Sequence, residues 1–386
     1  MTSAVWDRVA GSPAAQRIAD AVASGDIAHA WLLLGPAGWG KRETAVAMAA
    51  AMNCTKEPGT GCGECTTCLR IVRRRHPDVH HIIPEGPLIS VDVVRELVVP
   101  EAARSPFEAA YKVFVLEEAD RMNEAAQNAL LKTLEEPQPD TVFVLISDRE
   151  EELLETVRSR CRIVRLEPIR ESRMVELLRV QGAGEKDALL AARVSEGDLD
   201  HALKVVMDPA TRSRRELWTG IPGRLMSPID ALDGAAEILG EAGEAVAARG
   251  AAHKVEIAEL AERMGLGRGT AAARNALAKR HRRELRRLEE EVLGEALTSI
   301  ASFYRDVLMM RAGAAEGVSN LDLLDELDHW AVADEIPDSS LLRAVDRCLE
   351  ARIALTRNAN QTLTIEAALL ELSMIVPSPR RVASKP

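Results

Sequence analysis

Residues Trp31–Arg42, WLLLGPAGWGKR, constrain this chain more than any other stretch. Four apolar residues, Trp31 to Leu34, feed a loop with glycines at Gly35, Gly38 and Gly40, followed by Lys41. An apolar strand, a Gly-rich turn and a helix in that order fit the phosphate-binding P-loop pattern. The glycines let backbone N–H groups curl around phosphate oxygens, and the following helix points its positive end at them. Lys41 would reach the outer phosphates as a point charge. The next residue departs from the pattern. A Ser or Thr hydroxyl normally ligates Mg²⁺ there, but this chain has Arg42, which carries donors only and cannot bind a cation. Thr44 comes two residues late and is expected on another helix face. The loop is therefore expected to accept a nucleotide without the usual magnesium ligand. The competing reading is a Gly-rich turn that binds none.

A second run, Lys112–Asp120, KVFVLEEAD, reads as a strand buried on both faces of a parallel sheet. It ends in Glu117 and Glu118. In P-loop ATPases an acidic pair at this place serves Mg²⁺ and orients the attacking water. The first acid is usually Asp, so Glu117 is one methylene too long. Thr141–Ser147, TVFVLIS, is another buried strand, ending in Ser147 and Asp148, and Val157–Leu166 carries Ser159-Arg160-Cys161 into a strand IVRL. Helices are expected at Trp6–Gly25, Glu43–Met52, Val91–Val99 and Asn123–Glu136, with a short strand at Val79–Ile83. Alternating strands and helices over the first 168 residues argue for a parallel sheet covered on both faces.

Cys54, Cys62, Cys65 and Cys68 fall within fifteen residues, the last three as C-x2-C-x2-C. Four thiolates so spaced can converge tetrahedrally, the closed geometry of a structural zinc. An iron–sulfur cluster and unmetallated thiols remain open. Cys161 and Cys348 read as packed small hydrophobes. Arg70, Arg73, Arg74 and Arg75 follow as a DNA- or partner-facing patch or, with no aromatic interleaved, a solvated helix face.

Beyond Pro168 strands cease. Glu171–Val180 and Glu185–Val206 read as helices. From Arg212 the chain is Ala-, Leu-, Glu- and Arg-rich, with Gly220–Gly223 and Gly265–Gly269 as punctuation. Leu297–Met310, Ser339–Thr356 and Leu363–Ile375 are expected in a bundle of long helices, and Pro377–Pro386 as a frayed tail. In Lys279–Arg287, KRHRRELRR, basic residues are followed at once by Glu289–Glu291, so intrahelical pairs are expected more than DNA contact. The length of 386 residues allows two or three domains, and the net charge of −11 argues against a DNA-coating protein. No apolar run is long enough to span a bilayer, no leader is read at the start, and a cytoplasmic, membrane-free protein is expected.

Taken together, HAWLLLGPAGWGK, the cysteine cluster, HPDV at His76–Val79, VFVLEEAD, NALLKTLEEP at Asn128–Pro137 and SRC at Ser159–Cys161 resemble bacterial DNA polymerase III clamp-loader subunits, of the AAA+ ATPase superfamily. The resemblance covers about residues 1–207 and, more loosely, the C-terminal helices. It implies an α/β fold: a RecA-like P-loop domain with a zinc module over 1–168, a small helical lid over 169–207 and an all-α collar over 208–386. It assigns Gly35, Gly38, Gly40, Lys41, Glu117, Glu118 and Ser147 to a nucleotide site and Cys54, Cys62, Cys65 and Cys68 to structural Zn²⁺. A motor subunit of this family has Ser or Thr, Asp and a lid Arg where this chain has Arg42, Glu117 and Asp200. These departures resemble the delta-prime kind, the non-hydrolysing ring member, with weak or absent ATPase, nucleotide occupancy left open and no Mg²⁺. Arg160 would then be an arginine finger reaching a neighbour's ATP. The implied partners are gamma/tau and delta subunits in a hetero-oligomeric ring of the polymerase holoenzyme, with the sliding clamp and primed DNA met through the complex. An active gamma/tau-like motor is the rival reading, and a DNA-binding zinc protein a third.

Overall fold

The computed structural model describes residues 5–376 apart from 10, 37, 85–87, 265–267, 334 and 358. The expected tail at 377–386, and residues 265–267 of the Gly265–Gly269 punctuation, lie outside the described residues. Two compact units divide the chain, Met1–Val206 and Met207–Pro386.

The first unit is built on a five-stranded sheet: β1 (Ala30–Leu34), β2 (Val79–Ile82), β3 (Lys112–Leu116), β4 (Thr141–Ser147) and β5 (Arg162–Arg165), in the order β2-β3-β4-β1-β5. Every pairing is parallel. All side chains of β1, β3 and β4 are buried, as strands covered on both faces must be. Successive side chains alternate between two cores. Trp31, Leu33, Val113, Val115, Val142 and Val144 point into one with helices α1 (Pro13–Ala23), α2 (Lys41–Met52) and α3 (Thr66–Val72). Leu32, Leu34, Phe114, Leu116, Phe143 and Leu145 point into the other. That second face is covered by α4 (Val91–Val93), a π-helical turn (Val94–Val98), α5 (Val99–Ala102), α6 (Glu124–Glu135) and α7 (Glu155–Arg158). This is the expected α/β P-loop architecture with β1 between β4 and β5. The first helix differs from expectation. It begins at Pro13 rather than near Trp6, because Ser12 caps it by accepting from Ala15 N–H and proline suits only the first turn.

Helices α8 (Glu171–Val180), α9 (Glu185–Val194) and α10 (Leu199–Met207) enclose a small separate core of Met174, Leu178, Ala188, Ala191, Ala202 and Val205. The single helix expected over 185–206 is two helices. Glu196 and Gly197 take positive φ, 50° and 92°, and Asp198 caps the second helix through His201 N–H. That break sets an aspartate against the P-loop, as described below.

The second unit is all helix: α11 (Pro209–Thr219), α12 (Pro228–Met264), α13 (Arg268–Arg311), α14 (Leu324–Ala331), α15 (Asp338–Thr356) and α16 (Gln361–Ile375). Its core joins Trp218, Leu293, Ile300, Leu341, Leu369 and the edge-on aromatics Phe303, Tyr304 and Trp330. Arg215 is buried and donates to both Asp322 oxygens at 2.6 and 2.8 Å and to Asn320 Oδ1 at 2.7 Å. In the basic run of α13, Arg286–Glu290 and Arg287–Glu291 form the expected i,i+4 pairs at 3.3 and 3.1 Å. Among the described residues no helix is long and apolar enough to cross a membrane.

Candidate nucleotide site and metal centre

The loop after β1 adopts the backbone its glycines were expected to permit. Gly35, Gly38 and Gly40 have φ of 143°, 82° and 75°, a region that L side chains rarely enter. Gly40 is the left-handed N-cap of α2, so the positive end of that helix faces the loop. Lys41 is buried. Its ammonium donates to the carbonyls of Gly35 and Pro36 in its own loop and pairs with Asp148 at 2.8 Å. The charge meant for phosphate is thus engaged within the chain.

Arg42 and Glu117, the two residues that depart from a magnesium site, meet each other. Arg42 Nε lies 2.6 Å from Glu117 Oε2. Glu117 follows β3 and its side chain is 1% exposed, so its carboxylate needs a counter-charge. Arg74 Nη1 at 3.3 Å and His81 Nδ1 at 3.6 Å approach the other oxygen. Burial pushes the Glu117 carboxyl up. The His81, Arg42 and Arg74 contacts more than reverse that and hold it at about 2. A guanidinium stands against the acid, where an active site would hold a metal. Thr44, the hydroxyl nearest the start of α2, is fully buried, and its Oγ1 has no hydrogen-bond partner among the described residues.

Glu118 sits in the left-handed region at φ 53° and pairs with Arg121 at 3.1 Å. Ser147 ends β4, and its hydroxyl donates to Asp120 Oδ1 at 3.1 Å and to Arg149 O at 2.9 Å. Arg149 in turn contacts Asp120 Oδ2 at 3.1 Å. From the turn before α10, Asp198 approaches the loop so closely that a Cβ on Gly38 would lie 2.0 Å from Asp198 Oδ2. Burial raises the Asp198 carboxyl above its ordinary value. Asp200, the lid acid singled out in the sequence, is exposed, and its charge acts on Glu43 instead. The turn before α10 thus contributes an acid to the cradle, two residues before the one singled out in the sequence.

Arg160 lies apart from this cradle, after α7. Its guanidinium is bonded to Glu135 at the end of α6, and Nη1 donates to Thr156 O at 2.7 Å.

Cys54, Cys62, Cys65 and Cys68 are brought together as a group, with sulfurs all within 4.8 Å of one another and no disulfide. Cys54 Sγ is 3.5 Å from Cys62 Sγ and 3.9 Å from Cys65 Sγ. A tetrahedral zinc with Zn–S near 2.3 Å separates its sulfurs by about 3.8 Å. Backbone N–H groups of Glu57 and Cys62 aim at Cys54 Sγ, and that of Cys65 at Cys62 Sγ, which favours thiolates. The donor set therefore fits one tetrahedral ion. A polynuclear cluster would need its thiolates spread further. The four ligands would tie the end of α2 to the start of α3.

Sequence reasoning missed Arg74, His81, Asp148 and Asp198. His81 was readable: it lies two residues after Val79 on β2, so it faces the same side as Val115 of β3. Arg74 reaches Glu117 from a left-handed turn at φ 55°, for which its arginine run gave no sign.

Residues 11–170 match the family described as "DNA polymerase III, delta subunit". Over 139 residues, 35% of this chain and 42% of the relative, the sequence is 47% identical to a DNA polymerase III subunit delta' of Pseudomonas aeruginosa. It is 36% identical to the delta' subunit of Escherichia coli over 195 residues, 49% of this chain and 58% of that one. A gamma/tau subunit of Mycobacterium tuberculosis is 34% identical over 142 residues, 36% of this chain and 24% of the relative. The chain spans about half the length of the delta' relatives it matches.

Proposed function

We propose that the whole chain is a clamp-loader subunit of the delta-prime kind that does not hydrolyse ATP itself, a reading supported by the match of residues 11–170 to the DNA polymerase III delta-subunit family and by the delta' relatives. It would occupy one place in a hetero-oligomeric ring with gamma/tau and delta subunits, which loads the sliding clamp onto primed DNA.

One observation carries the non-hydrolysing part: the Arg42 guanidinium is seated on the buried Glu117 carboxylate. Hydrolysis needs Mg²⁺ bridging the phosphates, held by a P-loop hydroxyl and the acid after the strand. Here the hydroxyl is absent and the acid is already neutralised. Lys41 bound by Asp148, and Asp198 against Gly38, add carboxylates where a triphosphate would bring further negative charge. Arg160 is proposed as the residue that acts, reaching a neighbouring subunit's ATP and offsetting charge in its transition state. Such fingers contribute about 10³–10⁵ in rate. The four-cysteine centre is assigned to one structural Zn²⁺, which would supply fold stability and no chemistry. The gamma/tau relatives keep the motor reading in view, but Lys41 without a metal partner does not make a motor.

The test is reconstitution with gamma/tau and delta. Arg160→Ala should strongly reduce DNA-stimulated ATPase of the assembly, and Lys41→Ala should barely change it. Equal losses from both substitutions would remove the assignment of roles. So would magnesium-dependent turnover by the purified chain that Lys41→Ala abolishes.

A further inference from the structure

Helix α6 ends at Glu135, and a second acid, Glu136, caps it just before Pro137. Carboxylates are disfavoured at a helix C-terminus, where the dipole already places negative charge. Glu135 is therefore poorly placed for helix stability, and what it touches is Arg160. The Arg160 Nη2 is bonded to Glu135 Oε1, while Nη1 donates to Thr156 O at 2.7 Å and Ser159 Oγ at 3.4 Å. Every one of these acceptors belongs to the same chain. The finger is folded back along its own surface.

The pair is open to water: Arg160 is 33% exposed and Glu135 46%. An ion pair in that setting shifts an equilibrium only a few-fold, so it holds the side chain without trapping it. A nucleotide phosphate carries more charge than one carboxylate and also accepts paired hydrogen bonds from a guanidinium. We propose that Glu135 is a positioning residue that parks Arg160 and releases it when a neighbouring subunit presents ATP phosphates. The finger would then be engaged only when the neighbouring site is filled and close. This rests on the finger reading of Arg160 given above.

The arrangement makes Glu135→Gln informative. Gln keeps the shape, removes the charge and relieves the helix terminus, so the chain should fold as before, which amide exchange across α6 checks. In the reconstituted assembly without DNA, Glu135→Gln should raise ATPase by about two- to five-fold, the scale of an exposed ion pair. The DNA-stimulated maximum should be unchanged, because parking no longer limits a finger that is already engaged. The gain should disappear at high salt, which screens the pair in the unsubstituted chain as well. Glu135→Asp should fall back toward the unsubstituted rate. Glu135→Gln on an Arg160→Ala background should add nothing.

If Arg160→Ala lowers the rate and Glu135→Gln leaves it unchanged, parking is wrong and the finger stands. A fall with Glu135→Gln means that the carboxylate orients the engaged finger, which also overturns parking. No effect from Arg160→Ala would remove the finger itself, and this proposal with it.

Discussion

Removing Arg42 should expose how far the metal-site substitutions depend on each other. In Arg42→Ala, Glu117, 1% exposed in the intact protein, loses its nearest cation, 2.6 Å away. With charge centres roughly 4 Å apart and an effective dielectric near 20, the lost attraction is about 4 kcal/mol. Two effects reduce it. Arg42 is 36% exposed, so solvent already screens the pair, and Arg74 and His81 remain beside the other oxygen. A net loss of about 2 kcal/mol is expected, below the roughly 3–5 kcal/mol typical when a buried pair is broken outright. Glu117→Gln in the same background removes the stranded charge and should recover about 1 kcal/mol or more, so the double-mutant cycle is non-additive. Urea-dependent amide exchange in β3 and β4 reads the first unit without interference from the second. A loss under about 0.5 kcal/mol with an additive cycle would refute the claim that this guanidinium replaces a metal as the counter-charge.

The remaining predictions are independent of that one. Glu117, held near 2 against an ordinary value of 4.5, should contribute about 3 kcal/mol at neutral pH, and acid titration of unit 1 should lose this as pH falls from 4.5 toward 2. Asp78, lowered because its carboxylate accepts from the Phe107, Glu108 and Ala109 N–H groups against burial, loses stability in the same direction. Glu43 and Asp198 are raised by burial, so their protonation offsets part of the loss, and a monitored net rise in stability below about pH 4 would contradict the sign. Elemental analysis of the purified chain should find one zinc, released by a strong chelator or by Cys62→Ser together with faster exchange in α3; retention of zinc by Cys62→Ser would remove that ligand from the set. Arg215→Ala, which leaves Asp322 and Asn320 without their buried donor, should cost unit 2 about 3 kcal/mol in urea-dependent amide exchange of α13, and a change under about 1 kcal/mol would refute a structural role.

Much of this protein was fixed by local sequence. A P-loop needs its glycines at given spacings because only they tolerate positive φ, so Gly35, Gly38 and Gly40 could be read directly. Strands buried on both faces must be continuously apolar, and β1, β3 and β4 were therefore visible in outline. Four cysteines in fifteen residues have few ways to satisfy four thiolates other than converging. The sequence also marked Arg42 and Glu117 as misfits for magnesium, one at a time. That they answer each other, with Arg74 alongside, was decided only by the fold. A salt bridge spanning 75 residues depends on how β3 lies in the sheet beside the start of α2, and no local pattern carries that information. For the same reason, the acid that approaches the P-loop proved to be Asp198 and not Asp200: a helix break at Gly197 chose which carboxylate meets Gly38. The pairing of Arg160 with Glu135 belongs to the same class, because partners distant in the chain are matched by packing and not by spacing.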